Sequence, residues 1–155
     1  MANTQGIAKS FRVELLNGIH AFGTSVVRAG TGADTFKMAL YLTTATIDST
    51  ATAYTATGEL AATGNYTAGG VTVTNATAPA NTGGTGVVAF WTPSASVSWT
   101  ALTSSGAFDC ALLYNSTQGN KAVAAFTFGS QTVTAGNFSL SMPTNDLSTA
   151  LIRLS

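Results

Sequence analysis

From residue 35 onward, apolar positions recur every second residue. Phe36, Met38, Leu40 and Leu42 alternate with Lys37, Ala39 and Tyr41, the period of a strand buried on one face. Val71 and Val73 point inward between outward Thr72 and Thr74. The run from Val97 to Leu102 alternates again, as do Phe138, Leu140 and Met142 up to Pro143. Phe108 to Tyr114 reads as a strand, and Ala122 to Phe128 as its hairpin partner across the polar turn Asn115–Asn120. Val87 to Trp91 reads as a strand buried on both faces and broken by Pro93. Weaker patterns mark short strands over Ala53–Leu60 and at Leu151–Leu154, and Gly129 and Gly136 flank a short piece containing Val133. Gly64–Gly70 and Asn81–Gly84 are turn clusters. About eight strands separated by turns, with no helical pattern between them, predict an antiparallel all-β sandwich, jelly-roll or immunoglobulin-like.

Residues 1–30 differ. Phe11, Leu15, Ile19 and Phe22 fall at helical spacing, which predicts a short helix over Ser10–Phe22 with Ser10 as its N-cap. Gly18 weakens that helix by about 1 kcal/mol relative to Ala. A helix so short is unstable alone, so its apolar stripe must be buried on its own sandwich or on a neighbour. Gly23 and Gly30-Thr31-Gly32 let the chain turn afterwards. The organisation is therefore an N-terminal arm (1–30) followed by a β-sandwich domain (31–155).

Charge changes the picture more than size does. Only 8% of the 155 residues are charged, and six basic and six acidic residues cancel; an average soluble protein has about 25%. Nucleic-acid binding needs clustered Lys and Arg, so it is not expected. No stretch approaches the roughly 20 apolar residues of a membrane span, and the first residues lack the basic and apolar regions of a signal peptide. No membrane partner is expected, and synthesis is expected in a cytoplasm. Thr, Ser and Asn supply the polar surface, which suits a protein held in an assembly because desolvating Thr costs less than desolvating Lys. The single cysteine, Cys110, reads as a small buried apolar residue in a strand.

Candidate chemistry is sparse. His20 has no Asp or Glu at metal-ligand spacing and no Gly-x-Ser-x-Gly elbow accompanies it, so it reads as a polar residue at the helix C-terminus. The acids Glu14, Asp34, Asp48, Glu59, Asp109 and Asp146 are dispersed, and Asp109 is placed to pair with Lys121 across the hairpin. No catalytic residue, metal or cofactor is expected. The aromatics Trp91, Trp99, Tyr41, Tyr54, Tyr66 and Tyr114 suit either a core or a sugar-binding platform, with Tyr66 in its Gly-rich turn the best candidate for exposure.

Lys9-Ser10-Phe11 through Glu14-Leu15-Leu16 and Gly18-Ile19-His20, Asp34 to Tyr41, Gly58-Glu59 with Gly64 to Gly70, Ala111 to Asn115, Lys121 to Ala124, and Val133 to Phe138 with Met142-Pro143 follow one another in this order. Together these segments resemble a family of small proteins found in tailed-phage genomes. The resemblance spans residues 9–154 and implies a virion component without catalytic residues. The expectation is a capsid decoration (cement) protein, assembled in the bacterial host cytoplasm and located in the virion. It would form a homo-oligomer and bridge the major capsid protein, with Phe11, Leu15, Ile19, Phe22 and Tyr66 as contact residues. A tail, adaptor or fibre protein is the alternative, followed by a carbohydrate-binding module for host attachment.

Overall fold

The computed structural model describes residues 2–16, 18–22, 33–75, 77–81 and 88–154. The turns expected at Gly23, Gly30–Gly32 and 82–84, and residue 87 of an expected strand, lie outside them. In chain order the described elements are β1 (Gly6–Ile7), α1 (Lys9–Leu16), β2 (Phe36–Leu42), β3 (Val71–Thr72), β4 (Ala89–Trp91), β5 (Val97–Leu102), β6 (Phe108–Asn115), β7 (Lys121–Gln131), β8 (Gly136–Leu140) and β9 (Ile152–Leu154). The fold is all-β, antiparallel and sandwich-like. A five-stranded sheet runs β1-β7-β6-β2-β3, and two ribbons pair β4 with β9 and β5 with β8.

The centre of the large sheet is more deeply buried than its alternation suggests. Met38 faces Leu113, Leu40 faces Ala111 and Tyr41 faces Cys110 across the β2–β6 ladder. Ala39 and Tyr41, expected on a solvent face, are as buried as Leu40. Both faces are covered. On one, Phe36 stacks on Phe22 with ring centroids 4.5 Å apart and meets Trp91 at 5.9 Å. On the other, Tyr54 stacks on Tyr114 at 4.9 Å. Each large side chain so buried contributes roughly 1.5–3 kcal/mol.

The segment between β2 and β3 does the second covering. It does not form the strand expected over 53–60; only isolated bridges join Tyr41 to Glu59 and Ala53 to Lys121. Instead it closes the edge of β2 beyond β3. The Leu42 N–H donates to the Gly58 carbonyl and the Leu60 N–H to the Leu40 carbonyl, both at 2.9 Å. An edge satisfied in this way is not free to pair with another chain. The segment returns to β3 through Gly70, at φ +70°, where a Cβ would stand 1.9 Å from the Met38 carbonyl oxygen. Only glycine fits that approach.

The remaining strands follow the sequence pattern, with two exceptions. β1 is too short for any alternation to announce it; it pairs Gly6 with Ala125 and Ile7 with Ala124 of β7. In β4, Phe90 and Trp91 are buried but Ala89 is exposed, so this strand is not buried throughout.

Candidate functional site

The arm is built by a strand, a helix and a sharp stop. The helix ends at Leu16, not at Phe22 as its stripe suggested. The Gly18 N–H donates to the Leu15 carbonyl at 3.0 Å and the Ile19 N–H to the Glu14 carbonyl at 2.9 Å, with Gly18 at φ +64°. This is a Schellman stop, and Gly18 is its left-handed residue, not a weak link inside a helix. Ser10 is not the N-cap. It lies within the helix with its Oγ buried and unpartnered. The N–H groups at the helix start go elsewhere: Ala8 donates to Val123 and Lys9 to Ser49.

Described residues along the arm, from Asn3 to Ala21, grip the sheet. Asn3 donates through Nδ2 to the Leu42 carbonyl and to Asp109 Oδ1 (2.7 Å), and its Oδ1 accepts the Ile47 N–H. Asp109 therefore binds Asn3 and not Lys121, correcting the cross-hairpin pair. Lys121 Nζ instead donates to Glu14 Oε1 at 2.9 Å. At the other end His20 is buried, and it is not a solvated helix-end residue. Its Nε2 lies 2.8 Å from Glu14 Oε2 and its Nδ1 3.1 Å from Asn115 Nδ2. Asn115 Nδ2 also donates to Asp34 Oδ2, which accepts the Ala21 N–H as well; Gln118 Nε2 donates to Asp34 Oδ1.

The surroundings set the charges. Phe11 approaches the His20 ring edge-on at 4.8 Å, and an apolar hollow of about 220 Å³ between Phe11, Phe22, Trp91 and Ile152 borders it. Burial pushes the imidazole below its ordinary pKa, against the opposing pull of Glu14 and Asp34. Burial pushes the Glu14 carboxyl up, but hydrogen bonds and charge from Lys121 and His20 outweigh it, leaving Glu14 below the usual carboxylate range.

A second buried carboxylate lies in the segment that covers β2. Glu59 Oε1 accepts the Tyr66 hydroxyl at 2.8 Å and the Gly69 N–H at 2.7 Å, and Oε2 accepts the Tyr54 hydroxyl at 2.6 Å. The Tyr66 hydroxyl in turn accepts the Leu40 N–H, and the Tyr114 hydroxyl donates to the Gly69 carbonyl. All four tyrosines of the chain line this region, Tyr41 donating to the Thr55 carbonyl. Burial, reinforced by the nearby Glu59, pushes the Tyr54, Tyr66 and Tyr114 hydroxyls above their ordinary values, so they remain protonated donors.

Several expected contact residues are therefore not on the surface. Tyr66 is 4% exposed, which overturns its expected exposure. Trp91 and Trp99 are 2% exposed, and Tyr41 and Tyr114 are buried, so these aromatics form core and not a sugar platform. Phe11 is fully buried, Leu15 and Phe22 pack half-buried on the same core, and Ile19 is half-buried. With the arm docked, Phe11 has no surface to offer a partner. Cys110 is buried and its thiol is pushed up to about 12, which leaves it an unreactive core residue. Among the described residues no three His, Cys, Asp or Glu side chains gather as a metal site, and no helix is long and apolar enough to cross a membrane.

The sequence pattern missed the roles of Asn115, Asp34 and Glu59. One signal was present: Glu59 lies between Tyr54 and Tyr66 in an otherwise uncharged segment. No family model, curated protein or solved structure matches the chain.

Proposed function

We propose that this protein is a non-enzymatic structural subunit of a tailed-phage virion, a decoration protein that binds the assembled head as a homo-oligomer. The observation that carries this reading is the placement of charge. Of six acidic residues, Glu14, Asp34 and Glu59 are buried. Among the described residues the exposed surface is dominated by Thr, Ser, Ala and Gly, with very few charges. Such a surface is cheap to desolvate against other protein and has little attraction for nucleic acid. Many weak copies of such a contact, repeated by symmetry, add up to a firm shell. The resemblance of residues 9–154 to small tailed-phage proteins supports the same reading.

The docked arm shifts the adhesive surface away from Phe11, Leu15 and Phe22. Contacts then come from the exposed Thr- and Ser-rich positions, or from the arm seated on a neighbour in place of its own body. Copy number in purified particles tests the proposal. Hundreds of copies per particle are expected for decoration. A dozen or fewer would indicate a tail or adaptor protein, and absence from particles would overturn the virion reading.

A further inference from the structure

Asn115 leaves His20 no choice of tautomer. Asn115 Oδ1 accepts the Thr117 N–H at 3.1 Å and the Gln118 N–H at 3.2 Å, and backbone N–H groups only donate. On its other side the Asp34 carboxylate only accepts. The amide is thus oriented by fixed partners, with both Nδ2 hydrogens committed, one to Asp34 and one toward His20 Nδ1. His20 Nδ1 must accept, so its hydrogen sits on Nε2 and points at Glu14 Oε2.

We infer that His20 is an acid-labile latch: neutral, it fastens the N-terminal arm to the sheet; protonated, it loses the Asn115 contact and frees the arm. Adding a proton to Nδ1 sets two donors face to face, and Asn115 cannot flip without abandoning Asp34 and the Thr117 and Gln118 N–H groups. Among the described residues, the charged groups facing the imidazole are Glu14 from α1, Asp34 from the segment before β2 and Lys121 from β7. Glu14 already holds Lys121 at 2.9 Å, and Asp34 is engaged by Asn115, Gln118 and the Ala21 N–H. The rings of Phe11, Phe22 and Phe36 also border it.

The sign follows from linkage. The docked imidazole titrates below 6.5, the value of a free one. As pH falls through 6.5 the detached arm binds the proton first, so docking is intact above 6.5 and is progressively lost down to the docked value. Within that window the undocked fraction grows by up to about tenfold per pH unit. The Glu14 carboxyl, depressed below 4.5, keeps its charge until pH falls further, so the histidine step comes first. The latch needs no partner and is independent of the virion proposal.

His20 is the only histidine of the 155 residues, so its imidazole can be followed without ambiguity by nuclear magnetic resonance in the chain. The expected result is a neutral Nε2–H tautomer at pH 7.5 with a cross-peak to the Phe11 ring. The midpoint should lie below 6.5, and protonation should abolish the cross-peak and bring the shifts of a solvated imidazolium. A midpoint at or above 6.5, or a protonated ring still in contact with Phe11, would overturn the inference. His20→Gln should keep the Phe11–Phe22 contact from pH 7.5 to 5.5; the same acid loss in that variant would overturn it too. Should the variant fail to fold, the wild-type titration decides alone.

Discussion

Two carboxylates are buried against the same sheet, and they are satisfied by different chemistry. Glu59 is held by two tyrosine hydroxyls and a backbone N–H, donors that keep their hydrogens throughout the neutral and acid range. Glu14 is held by a lysine and a histidine, and the histidine is itself held by Asn115. Both arrangements offset the cost of burying a charge. Only the second contains a group that changes state near neutral pH. The donors that hold the cover on β2 keep their hydrogens, whereas the arm is fastened conditionally, although both bury aromatic rings on the sheet.

The comparison can be broken from the Glu59 side first. Gly70→Ala should cost most, about 3–5 kcal/mol or outright failure to fold, since the new Cβ meets the Met38 carbonyl and the backbone is left-handed. Soluble yield and urea midpoint measure this. Glu59→Gln replaces an acceptor of three hydrogen bonds with an amide, and should cost about 2–3 kcal/mol in urea unfolding. Tyr54→Phe removes one of those donors from a half-buried position and should cost about 1 kcal/mol by the same measurement. The smallest effect is expected on the arm side. The Lys121 side chain is 38% exposed, so Lys121→Met should change stability by about 0.5 kcal/mol or less. It should nevertheless raise the His20 midpoint, because the Lys121 charge pushes that imidazole down.

Much of the large sheet was legible locally: β2 alternates in period two, and β6 and β7 read as a strand and its hairpin partner across the polar turn Asn115–Asn120. What alternation did not reveal was the covering of the second face. Tyr66 sits in a Gly-rich turn whose composition signals exposure, yet its hydroxyl bridges Glu59 and the Leu40 N–H. That contact depends on the return path through Gly70, which no local pattern encodes. The helix shows the same limit. The stripe Phe11, Leu15, Ile19, Phe22 is periodic past the point where Gly18 ends the helix, because Phe22 is drawn inward by Phe36 and Trp91. His20 and Asn115 are 95 residues apart in the chain, so their pairing follows from topology alone.

Native-state hydrogen exchange, run as a pH series and corrected for intrinsic rates, reads both regions in one experiment. The amides of Ala8 and Lys9 report the arm, through their bonds to Val123 and Ser49; those of Leu60 and Gly69 report the cover, through Leu40 and Glu59. Between pH 7.5 and 5.5 the arm amides should lose protection while the cover amides keep theirs. Equal loss in both regions, or none in the arm, would contradict the account.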